Sequence, residues 1–359
     1  MKATLDAGGL EPAFWSARRV LITGHTGFKG TWLSMWLRCL GADVWGYALP
    51  PETQPSLYDL AGVADDVNSE FGDIRDRGAL ASFLKSCQPH VVLHLAAQPI
   101  VRRSYADPAG TFETNVIGTV NVLEAVRQCS SVEAVVVVTS DKCYENRERA
   151  EPYAEGDALG GSDPYSASKA CAELIAASYR SSFFADSRAR IATARAGNVI
   201  GGGDWSADRI VPDIVSAATR GSDVVLRYPD AIRPWQHVLE PLYAYAKLAQ
   251  SLARDGSFAS GWNFGPTSQT SLTVAELAER CLAGWGMENR LRRSTDRHPP
   301  EHHALRLDSA KARERLGVRT VLSIDQTCDW TIDWYRRWHA GDDARTLCLE
   351  QIQRYQTLL

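Results

Sequence analysis

Short apolar runs alternate with amphipathic ones through the first half of the chain. Arg19–Thr23 (RVLIT) reads as a strand, and Thr31–Leu40 as a helix with Trp32 and Trp36 one turn apart. Val44–Leu49 is a second strand, Val67–Phe71 a short third and His90–Ala96 (HVVLHLA) a fourth. Thr111–Cys129 follows as helix, Ala134–Thr139 (AVVVVT) as a buried strand, Ser166–Phe184 as helix and Ile191–Ala194 as strand. Strands that are apolar on both faces and spaced by helices predict a parallel sheet covered on both sides. The expected class is α/β, a doubly wound sheet with its ligand crevice at the C-terminal ends of the strands.

Beyond about Gly197 the alternation breaks up into Gly- and Pro-rich punctuation (GGGD, VPD, RYPDAIRP, FGP) and a charged stretch, Arg290–His303. This predicts a smaller lobe closing over the crevice. The expected division is a dinucleotide domain over 14–196, with 233–262 returning to it. A ligand lobe takes 197–232 and 263–340, and 341–359 forms a tail. Trp330, Trp334 and Trp338 fall at helical spacing, which predicts a packed aromatic stripe.

Composition narrows the class. The chain has 359 residues, enough for two packed lobes, and a net charge of −4 with both signs mixed along it. That balance gives no basis for a nucleic-acid or membrane-surface partner. No run approaches the roughly 18 apolar residues of a membrane span, and the N-terminus lacks a signal peptide's apolar core. The eight cysteines are scattered without a C-x-x-C pair, so no metal site is expected and the cytoplasm is the expected compartment.

Chemistry enters directly after the first strand. Thr23-Gly24-His25-Thr26-Gly27-Phe28-Lys29-Gly30 opens a helix, and such a turn presents bare N–H groups and a positive helix end to a pyrophosphate. With a βαβ series beyond it, the loop predicts a Rossmann-type dinucleotide site at Gly24, Thr26, Gly27, Phe28, Lys29 and Gly30. The second strand ends Gly46-Tyr47-Ala48-Leu49, with neither an acid nor an arginine, so the residues leave NAD and NADP both open. Lys29 would either add charge near the phosphates or sit solvated on its helix.

Tyr165-Ser166-Ala167-Ser168-Lys169 sets a phenol and an ammonium four residues apart, on one face of a helix. A lysine there should lower the phenol's pKa and make it a base toward a hydroxyl during hydride transfer. At the end of the AVVVVT strand, Ser140 can hydrogen-bond a reacting hydroxyl. Asp141 and Lys142 add an acid/base pair that a simple dehydrogenase or epimerase does not need.

From the glycine loop through HLAAQP, TSDKCY, YSASK and RAGNVIGGGDW, the chain resembles the extended short-chain dehydrogenase/reductase family over roughly Arg19 to His237. Within it, GHTGFKGTWL, TSDKCYEN, DALGGSDPYSASKACAEL, GGGDWSADRIVPD and RPWQHVLEPL are most similar to the nucleotide-sugar 4,6-dehydratases that act on CDP-glucose. Asp141-Lys142 differs from the Asp-Glu of the dTDP-glucose branch.

The resemblance implies NAD as cofactor and a nucleotide-sugar substrate. It implies oxidation at C4 by Tyr165 with Lys169 and Ser140, elimination across C5–C6, and hydride return to C6. Asp141 would be the acid and Lys142 the base, or Lys142 would stabilise the enolate electrostatically. It also implies that Asp73 and Ile74 border the adenine, and that Leu95, Ala96, Ala97, Asn115, Tyr165 and Lys169 line the cofactor. Gln98, Ser140, Asn198, Arg233 and Asn263, with Arg209 a weaker candidate, would meet the substrate. Family members pair two such helices across a twofold axis, which implies a homodimer with a four-helix interface. A 4-epimerase or reductase on the same scaffold, and a non-catalytic NAD-binding protein, are the competing functions.

Overall fold

The computed structural model describes residues 9–266, 271–296, 298 and 305–359. Of the charged stretch Arg290–His303, residues 297 and 299–303 lie outside them. Seven parallel strands form one sheet in the order β3-β2-β1-β4-β5-β6-β7. They are β1 (Arg19–Thr23), β2 (Asp43–Ala48), β3 (Asn68–Phe71), β4 (Val91–His94), β5 (Ala134–Val138), β6 (Arg190–Ala196) and β7 (Gly261–Phe264). The chain turns back between β1 and β4, where Val20 pairs with Val44 on one side and Val91 on the other. That reversal opens the crevice of a doubly wound sheet.

Alternation along each strand feeds two cores. Val20 and Ile22 pack into one with Trp32 and Trp36, while Leu21 joins the other with Leu80, Phe83 and Val92. The same split divides β5, with Ala134 and Val136 on one face and Val135 and Val137 on the other.

Helix α1 (Phe28–Cys39) starts three residues before the predicted Thr31, directly on the glycine loop. The expected helix over Thr111–Cys129 is longer and irregular. It runs from Pro108–Phe112 through a single π-type turn, Glu113–Ile117, into α2 (Gly118–Arg127). Helix α3 (Pro164–Ser182) begins where Asp163 caps it, accepting from the Ser166 N–H, with Pro164 in the first turn.

Sequence periodicity missed α4 (Leu239–Arg254), whose polar face of Glu240, Lys247 and Gln250 is buried along with its apolar one. The Trp330–Trp338 stripe lies on α5 (Ile324–His339), where Trp334 stacks on Trp338 at 6.2 Å between centroids. The stretch 341–359, expected as a tail, forms α6 (Ala344–Gln356), whose buried Tyr355 meets Trp36 of α1 edge-on at 5.6 Å.

Candidate active site

The glycine loop is built as a cradle. Gly24 has φ +77°, and a Cβ there would lie 2.7 Å from the Ala96 nitrogen at the end of β4. At Gly30 a Cβ would lie 2.1 Å from the Gly24 oxygen, so the loop closes only without one. Gly27, exposed, caps α1 with no side-chain bond, leaving the first-turn N–H groups aimed outward. Thr26 Oγ1 donates to the Leu49 carbonyl at 2.8 Å and ties the loop to the end of β2. These features suit a pyrophosphate at the β1/β4 reversal. Ile74 is buried beside Gly118, and the Asp73 carboxylate is held by Arg75 at 2.6 Å, which keeps it below the usual carboxylate range.

The strand after the crossover delivers the second group. Beyond β5, Ser140 caps a short turn over Asp141–Cys143, accepting from the Lys142 N–H at 3.2 Å. Its hydroxyl donates to Asp141 Oδ1 at 2.9 Å. Asp141 is 4% exposed, and burial raises its carboxyl against the lowering pull of Lys142, Ser140 and Arg233. Lys142 is half-buried, and among the described residues its ammonium makes no hydrogen bond or ion pair.

Tyr165 and Lys169 stand one turn apart on α3, both buried. Lys169 Nζ reaches the Val138 carbonyl at 3.4 Å, and burial pushes its pKa down to about 8. The Tyr165 phenol is pushed up to about 12, again by burial, with the Ser140 hydroxyl opposing. This corrects the expected lowering of the phenol by lysine: desolvation outweighs charge when both groups leave water.

Asn198 and Arg233 flank a short parallel pairing of Gln236–His237 with Val199–Ile200. The Asn198 amide makes no hydrogen bond among the described residues, while Arg233 is 6% exposed and charges the same space as Asp141. Arg209 instead reaches Asp204 at 3.2 Å.

Three residues expected to contact ligands also bond within the protein. Gln98 donates to Thr111 at 2.9 Å and accepts from the Ile100 N–H at 2.6 Å. Asn115, in the π-type turn, accepts from the Gln98 N–H at 2.8 Å and donates to Ser168 at 2.9 Å. Asn263, fully buried, accepts from the Tyr144 hydroxyl at 2.7 Å and donates to the Tyr153 and Asp308 carbonyls. The reason is packing: each amide satisfies buried backbone that no strand or helix pairs.

Sequence reading missed the network behind the site. Glu173 of α3 accepts from Thr139 at 2.5 Å, Thr193 at 2.7 Å and Arg195 at 2.7 Å. Arg195 also donates to Tyr144 Oη at 2.6 Å, which carries the chain of bonds to Asn263. The network locks the helix bearing Tyr165 and Lys169 onto β5, β6 and β7. The one signal for it in the sequence was a glutamate one turn beyond Lys169, on the same face.

A family model described as GDP-mannose 4,6 dehydratase matches residues 21–331. A CDP-glucose 4,6-dehydratase of Salmonella typhimurium is 44% identical over 354 residues, covering 97% of this chain and 99% of that protein. A dTDP-glucose 4,6-dehydratase from Streptomyces venezuelae, solved with NAD bound, superposes with a TM-score of 0.77 at 27% identity, covering 90% of this chain and 98% of that one. A UDP-glucose 4-epimerase from Thermotoga maritima, at 20% identity and a TM-score of 0.78 over 89% of this chain and 99% of that one, shares the fold. The family model, together with that 44% identity along nearly the whole length, makes the chain a member of the GDP-mannose 4,6-dehydratase family, nucleotide-sugar dehydratases of the extended short-chain dehydrogenase/reductase group.

Proposed function

We propose that the protein is an NAD-dependent CDP-glucose 4,6-dehydratase, converting CDP-glucose to CDP-4-keto-6-deoxyglucose and water. One observation carries this reading. A redox pair, Tyr165 and Lys169, and an acid/base pair, Asp141 and Lys142, meet at the end of β5 in a chain 44% identical to a CDP-glucose dehydratase. Bound NAD supplies the hydride acceptor for C4 and the donor for C6. The loop Gly24–Gly30 would hold its pyrophosphate, with Asp73, Ile74 and Leu95–Ala97 around the rest.

Tyr165 takes the proton of the C4 hydroxyl, with Ser140 hydrogen-bonded to the same oxygen. The Lys169 ammonium, one turn along, stabilises the phenolate that this step requires. The 4-ketone acidifies the C5 hydrogen. Lys142 removes that proton while Asp141, kept protonated more readily by its burial, gives one to the departing C6 hydroxyl. Asn198 and Arg233 would bind the sugar diphosphate, a planar guanidinium being well matched to it, with Arg209 alongside. Gln98, Asn115 and Asn263 serve as positioning residues through the bonds described above.

The wider reading keeps two lobes, with the segment around 263–340 and 197–232 as the nucleotide-sugar side. Supporting it, Val224–Leu226 pairs with Leu291–Arg293, and Ile232–Pro234 with Ser271–Thr273. A homodimer is supported by Phe112, Ile117, Leu174 and Phe183, which the helices around α2 and α3 leave exposed. Cytoplasmic placement rests on the eight cysteines, none of which is paired. Among the described residues, no helix is long and apolar enough to cross a membrane.

The deciding experiment incubates the protein with CDP-, dTDP-, UDP- and GDP-hexoses and scores products by mass. Loss of one water from CDP-glucose is expected. A product of unchanged mass would point to a 4-epimerase, and no reaction with any hexose to a non-catalytic protein.

A further inference from the structure

Strand β1, which ends in the glycine loop, has β2 on one side and β4 on the other. The segments that leave those two neighbours meet again beyond it. Arg103, on the short helix Val101–Ala106 after β4, donates from Nη1 to the two carboxylate oxygens of Glu52, after β2, at 3.1 and 3.4 Å. Strands β2 and β4 stand about 10 Å apart, two strand spacings, so the pair spans the end of β1 between them. Both segments also touch the loop itself. The Leu49 carbonyl holds Thr26 Oγ1 at 2.8 Å, and the Ala96 nitrogen stands 2.7 Å from where a Cβ on Gly24 would sit. The glycine loop, the segment 49–52, the ion pair and the segment 96–103 thus close one ring, and its base is the loop that suits a pyrophosphate.

We propose that Glu52 and Arg103 are the residues that retain the cofactor: their ion pair closes over NAD held by the glycine loop, and its opening admits and releases NAD. The inference rests on the dinucleotide site and is independent of which hexose reacts. Every other link of the ring is continuous chain, a hydrogen bond to backbone or close backbone packing. The two side chains, by contrast, are 60% and 53% exposed. A pair so exposed is weak and reversible, so it is the link at which the ring opens. The helix that carries Arg103 is held elsewhere as well. Arg102 reaches Asp208 at 3.2 Å, and Ser104 Oγ accepts from the Tyr165 N–H at 3.2 Å. The element that closes on the cofactor therefore also receives the first turn of the helix bearing Tyr165 and Lys169. Slow release suits a cofactor that is oxidant and then reductant within one turnover.

The test loads the full chain with radiolabelled NAD, adds an excess of unlabelled NAD and follows loss of label, with no sugar present. Glu52→Ala and Arg103→Ala should each release NAD about two- to five-fold faster than the parent, the scale of one exposed ion pair. The charge-reversed double variant, Glu52→Arg with Arg103→Glu, should return to the parent rate. In about 1 M salt the parent should release as fast as the single variants, because screening removes the pair. Parent-like release from both single variants overturns the proposal, as does a charge reversal that releases as fast as the singles. Faster release from Arg103→Ala alone also overturns it, since Arg103 would then hold the phosphates directly rather than through Glu52. A parent that retains no label would defeat the dinucleotide site itself and the proposal with it, and failure to dehydrate any hexose would defeat only the functional reading.

Discussion

The Glu173 carboxylate meets the Arg195 guanidinium at 2.7 Å, with neither side chain more than 5% exposed. A buried pair of this kind is costly to break from one side, because the remaining charge keeps its desolvation without its partner. Glu173→Ala should therefore lose about 3–5 kcal/mol of stability, read as a drop in the denaturant midpoint. The double change Glu173→Leu with Arg195→Met should cost less than either single change. A double variant as weak as the sum of the singles would mean that the pair is not coupled.

Gly24 is the loop position least able to accept a side chain. Its φ of +77° already costs an alanine about 1–2 kcal/mol, and the added carbon would press on the Ala96 backbone at 2.7 Å. Gly24→Ala should purify with much less bound NAD than the parent while keeping its helical circular dichroism. Equal NAD content in the two proteins would remove the loop from cofactor binding.

Lys142 is testable at the atom on which it acts. In heavy water, Lys142→Met should stop deuterium from entering C5 of the 4-keto intermediate and slow turnover by about 10²–10⁴, the usual scale for a general base. Undiminished exchange at C5 would leave Lys142 an electrostatic role at most.

Glu240 sets a pH dependence on stability. It is buried, accepting from the Val321 and Leu322 N–H groups and from Tyr355 Oη, and burial pushes its pKa up to about 7 from 4.5. Between those values the folded protein holds a proton that the unfolded chain has released, so stability falls as pH rises from about 4.5 to 7. The loss is on the order of 3 kcal/mol. Glu240→Gln should gain on the parent when both are moved from pH 5 to pH 8 in chemical unfolding. A constant difference between them would show that Glu240 ionises alike in both states.

Most of the sheet was legible because β1, β4 and β5 are apolar on both faces, a pattern that only a strand covered from two sides needs. The glycine loop was legible for a similar reason. Gly24 and Gly30 answer contacts made within a few residues or at one neighbouring strand, and their spacing records that. Helix α4 was not legible as a buried element: its polar positions Glu240, Lys247 and Gln250 share one face, as on a solvated helix, yet the fold covers them. The 341–359 helix was hidden because its polar surface is ample and its burial depends on Trp36, three hundred residues away in the chain.

The candidate site divides along the same line. Tyr165, Lys169, Ser140 and Asp141 could be named from order and spacing, since a strand end and the first two turns of the next helix carry them. Their ionisation could not. Tyr165 moves up and Lys169 down because both lose water, and desolvation is a property of everything packed around a group. For the same reason the sequence could not show that the amides of Gln98, Asn115 and Asn263 also hold groups inside the protein. The sequence by itself determined the parallel sheet, the glycine-rich turn after β1 and the order and spacing of the candidate reacting groups, all of which depend on local order. Only the tertiary structure decided which polar side chains are already satisfied and which still face the crevice, because hydrogen bonds and burial join residues that the chain keeps far apart.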